Sequence, residues 1–231
     1  MNFYRKYFES FVSLLYPNFC LACNDSLLGN EKILCTACRH SLPETGYSKS
    51  VENPVSKLFW GRIPVAYATS LLFFEKGGKY QKLIHQLKYR GKKDVGKFLG
   101  NLLGSSLKNT NFDETDVIVS VPLHKAKLRR RGFNQSDIIA QGISEITGKP
   151  LIKNVLIRKV DTKSQTLHKR YARWENVDGI FECRKPQLIQ DKHVLLIDDV
   201  VTTGATLEAA GNALLKVEGV TLSIATTAYV N

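Results

Sequence analysis

An α/β fold, with a mainly parallel sheet flanked by helices and a small metal-binding module ahead of it, is predicted for this 231-residue chain by three observations. Short apolar, branched runs alternate with segments of helical apolar spacing, as in parallel strands joined by right-handed crossovers. One such run, residues 194–197, leads directly into Asp198-Asp199 and then Thr202-Thr203-Gly204-Ala205-Thr206. Near the amino terminus, Cys20, Cys23, Cys35 and Cys38 form two Cys-x-x-Cys pairs. The composition, 43% hydrophobic and 23% charged, is that of a globular core and excludes a disordered or collagen-like chain.

Residues 1–17 place Arg5 and Lys6 ahead of Phe8, Phe11, Val12, Leu14 and Leu15, superficially an export signal. Glu9 interrupts the run, no small-residue cleavage site follows, and the spacing is helical. We therefore expect an amphipathic helix that packs on the core, membrane contact being the alternative. No apolar stretch approaches the roughly 18 residues that span a bilayer, and a cytoplasmic location is expected.

The cysteine pairs stand eleven residues apart. Each pair can grip one ion from a tight turn, and together they complete a tetrahedral shell. Four thiolates leave no position to activate water, so zinc here would staple a segment too small to fold on its own core. Two disulfides or a redox pair are the alternatives. Cys183 stands apart and reads as a small buried apolar residue. The expected division is residues 1–50 for the helix and zinc module and 55–231 for the α/β domain, with polar residues 44–54 as linker.

Residues 65–74 are strand-like, and Gly77-Gly78 turns the chain. Residues 80–89 have helical spacing at Leu83, Ile84 and Leu87, and 97–107 form a further helix. A buried strand is expected at 117–121, a helix at 138–146 and a short strand at 155–157. Residues 194–197, a continuous branched run, suit a strand covered on both faces. A helix at 207–217 and a strand at 220–225 close the pattern.

The chemistry concentrates after two strands. Asp198 and Asp199 would stand at a strand's carboxyl end, where open α/β sheets bind ligands. The loop of Thr202, Thr203, Gly204, Ala205 and Thr206 offers N–H groups and three hydroxyls at a helix start, a cradle for a phosphate dianion. Acids beside such a cradle suit a ligand that carries hydroxyls and a divalent cation next to its phosphate. The plain alternative is a capped helix without a ligand. After the strand at 117–121, Val121-Pro122-Leu123-His124 leads into a basic loop with Lys125, Lys127, Arg129, Arg130 and Arg131, then Gly132-Phe133-Asn134-Gln135.

The net charge of +12 is focused: residues 76–97, 120–136 and 153–173 carry net +7, +5 and +6, leaving −6 for the remainder. Focused positive charge marks anion sites, pyrophosphate or nucleic acid, and solvated helix faces are the alternative. Phe59, Trp60, Tyr80, Tyr89 and Phe133 lie near the basic segments and could stack bases, although aromatics at such places also serve as core edges.

The 194–206 run resembles the phosphoribosyl pyrophosphate (PRPP) signature of type I phosphoribosyltransferases. The basic loop resembles their pyrophosphate loop. The long polar stretch with Arg158, Thr162, Gln165, Lys169, Arg170, Arg173 and Asn176 resembles their mobile lid. With the cysteine pairs and Tyr89-Arg90-Gly91, the chain is similar along nearly its whole length to the ComF family of competence-associated phosphoribosyltransferase-like proteins.

That resemblance implies a type I phosphoribosyltransferase fold, PRPP bound with Mg²⁺, and a link to DNA uptake. It implies that Asp198 and Asp199 hold the ribose hydroxyls and the Mg²⁺ environment, that Thr202 to Thr206 bind the 5′-phosphate, and that Arg130, Arg131, Lys169 and Arg170 stabilise departing pyrophosphate. Val121, Pro122 and Leu123 belong to the same ligand site. The expected partner is PRPP or another ribose 5-phosphate ligand. The other reading is a non-catalytic scaffold that binds single-stranded DNA and the uptake machinery. No general base emerges, and with the last strand close to Asn231 an acceptor site is expected from the amino-terminal module and residues 60–95.

Overall fold

The computed structural model describes residues 18–89, 92–159 and 179–230. Outside these fall the helix expected at 1–17, the Arg90-Gly91 pair and the polar segment with Thr162, Gln165, Lys169, Arg170, Arg173 and Asn176. The strands are β1 (Ala68–Phe73), β2 (Val117–Ser120), β3 (Leu156–Arg158), β4 (Phe181–Cys183), β5 (His193–Val201) and β6 (Thr221–Tyr229). The helices are α1 (Thr36–His40), α2 (Pro54–Lys57), α3 (Gln81–Tyr89), α4 (Lys93–Leu107), α5 (Lys125–Arg131), α6 (Gln135–Thr147) and α7 (Ala205–Leu215).

Four strands form the expected parallel sheet in the order β1-β6-β5-β2. The 194–197 run is buried because helices cover both faces, and its alternate residues serve different layers. Leu195 and Ile197 pack with Leu99, Leu103 and Ile139 from α4 and α6. Val194 and Leu196 pack with Leu207, Ala210 and Leu214 from α7. Period-two side-chain direction turns one continuous apolar run into two half-cores.

Helices α4 and α6 approach closely because glycines meet backbone. A Cβ on Gly100 would stand 2.2 Å from the Ile139 carbonyl oxygen, and one on Gly142 would stand 2.7 Å from that of Lys97. This contact places the first turn of α6 over the end of β5.

Three expectations need correction. The short strand at 155–157 does not join the parallel sheet; β3 pairs antiparallel with β4, which the sequence did not suggest. The basic loop after β2 is in part a helix, α5, whose run of charges hid its periodicity, since Leu128 is its only large apolar residue and is exposed. The segment expected as a linker is packed on the sheet edge. Glu44 bridges antiparallel to Leu72, and Asn53 is buried, caps α2 and donates from Nδ2 to the Ala68 carbonyl at 2.9 Å. Its polarity serves backbone groups at that edge rather than solvent.

The cysteine module joins the same core: Cys20, Leu34 and Cys38 pack in one cluster with Leu71, Leu83 and Leu99. Cys183, expected to be buried, is half-buried on β4. Among the described residues, no helix is long and apolar enough to cross a membrane.

Candidate functional site

Strand β5 runs past both acids to Val201, and the chain then turns through Thr202 and Thr203 to Gly204. Gly204 adopts φ +76°, a left-handed conformation that glycine takes without a Cβ penalty. The turn exposes the first N–H groups of the eleven-residue α7, an electropositive helix start.

Asp198 is positioned from a distant element. Ser136, in the first turn of α6, donates from Oγ to Asp198 Oδ1 at 2.8 Å, and the Asp199 N–H donates to the same oxygen at 2.9 Å. Thr227 Oγ1 on β6 donates to the Asp199 carbonyl at 2.5 Å. The start of α6 is itself fixed to the loop after β2. Asn134 donates from Nδ2 to the Val121 carbonyl at 3.0 Å and to Asp137 Oδ1 at 2.8 Å, and Ser120 Oγ donates to that same carboxylate oxygen.

These elements enclose a cleft of about 920 Å³ at the carboxyl end of the sheet. Val121, Pro122, Leu123, Arg131, Asp198, Asp199, Thr202 and Thr206 all line it. Thr203, Gly204 and Ala205 belong to the same loop but do not line the cavity, and Arg170 lies outside the described residues. Lys127 and Arg130 from α5 and Arg158 from β3 add positive charge to the wall. Helix α5 ends at Gly132 in a left-handed cap, with Arg129, Arg130 and Arg131 in its last turn, where cations complement the helix dipole.

Tertiary structure brings to the site two residues that no local sequence pattern marks. Ser136 carries no local signal, since its partner is 62 residues away. Arg62 donates from Nη1 to the Thr203 carbonyl at 2.7 Å across 141 residues. Gln135 is buried and lines the cleft, and its Nε2 has no hydrogen-bond partner among the described residues.

A smaller cavity of about 150 Å³ lies at the same end of the sheet, lined by Pro43, Phe74, Tyr80 and Ile84 among others. It adjoins the main cleft across one rung, where Val200, Ala228 and Leu72 sit side by side. The Tyr80 hydroxyl, on the cavity wall, is held by the cysteine module through the Cys38 and Ser41 carbonyls, both at 2.8 Å.

Ligand atoms of Cys20, Cys23, Cys35 and Cys38 all lie within 4.8 Å of one another. The Cys23 and Cys35 sulfurs are 3.7 Å apart, close to the roughly 3.8 Å that tetrahedral geometry imposes at a metal–sulfur distance near 2.3 Å. Backbone N–H groups of Cys35 and Cys38 donate to the Cys20 and Cys35 sulfurs at 3.3 and 3.4 Å. Burial pushes the Cys20 thiol up, but backbone hydrogen bonds from Cys23, Cys35 and Ala22 outweigh it and bring the group down to about 6. The cluster fits a metal ion.

The fold and the cleft together define a phosphoribosyltransferase-like α/β protein with a four-cysteine module at its amino-terminal end. Residues 99–231 match the phosphoribosyl transferase domain, and the chain belongs to that family. It is 33% identical over 138 residues to the DNA utilization protein YhgH of Escherichia coli K12, covering 58% of this chain and 60% of that one. It is 28% identical over 136 residues to competence protein ComFC of Bacillus subtilis, covering 59% and 53% respectively. The matched region is thus less than two thirds of either relative. Among solved structures, a glutamine PRPP amidotransferase from B. subtilis, complexed with ADP and GMP, aligns at TM-score 0.40 and 21% identity, covering 57% of this chain and 26% of that one.

Proposed function

We propose that this chain binds PRPP, or another ligand with a ribose 5-phosphate group, together with Mg²⁺, and that it transfers or recognises that group. One observation carries the reading: Asp198 and Asp199 at the end of β5, Thr202 in the following loop and Thr206 in the first turn of α7 share a single cleft with Lys127, Arg130 and Arg131 from helix α5. The start of α7 suits the 5′-phosphate, and Asp198 and Asp199 suit ribose hydroxyls and a hard cation. Mg²⁺, when bound, would neutralise charge on the phosphate oxygens.

In transfer, the anomeric C–O bond breaks with its electron pair leaving on pyrophosphate, and an acceptor lone pair forms the new bond. Arg130 and Arg131 would hold the departing charge, so that catalysis rests on positioning and electrostatics. We take the cavity beside Phe74 and Tyr80 as the acceptor site expected from the amino-terminal module and residues 60–95. We assign the cysteine cluster to structural zinc and the protein to the cytoplasm, where thiols stay reduced.

A second reading, single-stranded DNA binding linked to uptake or utilisation, is favoured by a separate basic cleft of about 360 Å³. Lys32, Lys82 and Lys92 line it, beside the half-exposed ring of Phe19. Cations for phosphates and a ring for bases are what single strands require. The names of the relatives point the same way.

Calorimetric titration with PRPP, with and without Mg²⁺, tests the first reading: Mg²⁺-dependent binding is expected, and its absence rejects it. Titration with single strands of different sequence at two salt concentrations tests the second. Affinity that falls steeply with salt for every sequence is expected, whereas salt-insensitive binding of one duplex refutes it.

A further inference from the structure

We infer that Arg62 is a positioning residue for the phosphate loop, acting from behind it to orient the Gly204 N–H. The inference rests on the ribose 5-phosphate reading of that loop. Arg62 stands six residues before β1, outside the sequence that flanks the acids, and does not line the cleft. Its guanidinium is committed in three directions. Nη1 donates to the Thr203 carbonyl at 2.7 Å and to the Leu58 carbonyl at 2.9 Å, while Nη2 pairs with Glu208 in the first turn of α7.

The consequence follows from peptide geometry. The Thr203 carbonyl and the Gly204 N–H belong to one planar trans unit and point in opposite directions. Holding the carbonyl on Arg62 therefore turns the N–H to the opposite side of the loop, away from Arg62; Gly204 does not itself line the cleft, but Thr202 and Thr206 on either side of it do. Phe59 supports the same arrangement from beneath. It is fully buried, and a Cβ on Gly204 would stand 3.0 Å from its ring. The Gly204 carbonyl is used by α7, accepting from the Glu208 N–H at 2.8 Å. With both flanking carbonyls engaged, the peptide cannot flip without breaking a charge-assisted bond. Arg is suited to the place because one planar fork can serve a carbonyl and a carboxylate together, which a lysine ammonium cannot do with the same rigidity.

The test uses the full chain, ribose 5-phosphate and pyrophosphate as separate probes, and the Gly204 amide resonance as a direct readout. In wild type, ribose 5-phosphate should shift that resonance. Arg62→Ala should bind ribose 5-phosphate about tenfold more weakly, the loss of one well-aimed N–H to a charged oxygen, and should lose the Gly204 shift. Its pyrophosphate affinity should be unchanged, since that ligand rests on Arg130 and Arg131. Arg62→Lys should recover part of the affinity. Glu208→Gln, which leaves Arg62 its carbonyl bond, should weaken binding by less than about threefold, and it carries the comparison if Arg62→Ala does not fold. Unchanged ribose 5-phosphate affinity in Arg62→Ala overturns the inference alone, as does an equal loss for pyrophosphate. Wild type that binds no ribose 5-phosphate overturns the functional reading with it.

Discussion

Replacing Gly100 with alanine sets two effects of opposite sign against each other. In an ordinary helix interior the change gains up to about 1 kcal/mol, because alanine restricts the unfolded chain and favours the helix. In α4 the new methyl would stand 2.2 Å from the Ile139 carbonyl oxygen and 3.1 Å from the Gly142 Cα. Both neighbours are backbone, so no rotamer change relieves the contact, and α4 and α6 must separate.

Overpacking of this kind costs about 1–3 kcal/mol or more. Separation also loosens Leu99, Leu103, Ile139 and Ile143, all fully buried at this contact, so the upper end of the range applies. We expect a net destabilisation of about 2 kcal/mol, a fall of roughly 4–8 °C in Tm for a chain of this size. Gly96→Ala is the control. Its methyl would meet side-chain atoms rather than backbone, Leu87 Cδ1 at 2.8 Å and Ile138 Cγ2 at 2.9 Å and Cβ at 3.3 Å, and Leu87 Cδ1 can move, so a smaller loss than for Gly100→Ala is expected. Thermal and urea unfolding of both variants measure the difference. Gly100→Ala protein as stable as wild type would refute the close-packing argument. Because α6 carries Ser136, the variant should also bind Mg²⁺–PRPP more weakly.

Asp199→Asn should weaken Mg²⁺–PRPP binding by about ten- to a hundredfold through loss of a charged acceptor. Thr202→Val, which removes a hydroxyl that lines the cleft, should act in the same direction while leaving the cysteine module intact, and calorimetry with metal analysis checks both. One zinc per chain is expected by elemental analysis; Cys35→Ser should lose it and expose residues before about 50 to protease while the sheet stays folded, and metal-free wild type would count against the assignment. Burial holds His193, bonded through Nε2 to Ser223 Oγ at 2.8 Å, below its ordinary value of 6.5. The unfolded chain therefore takes up this proton first, so stability is full above about pH 6.5 and declines as pH falls through the interval below it. Melting curves of wild type and His193→Gln between about pH 5 and 7.5 should differ in slope, and equal slopes would reject this origin.

Local, contiguous signals were legible without coordinates. The 194–197 run suits a strand covered on both faces, since its branched apolar residues leave no side for water. The acids and hydroxyl loop behind it then fell at the sheet's carboxyl end, and the paired cysteine spacing marked a four-sulfur cluster. Tertiary structure decided the rest. Which strands are neighbours, that β3 turns back on β4, and that residues 44–54 seal a sheet edge depend on packing between segments with no shared sequence pattern. Helix α5 was hidden because a solvated basic helix has no apolar period to read. Ser136 reaches Asp198, and Arg62 reaches Thr203, only because the α4–α6 contact and the seating of Phe59 under Gly204 bring distant chain segments within hydrogen-bond range. A hydrogen bond selects its partner by distance and angle in the folded molecule, and those are properties of the packed elements rather than of the residues on either side.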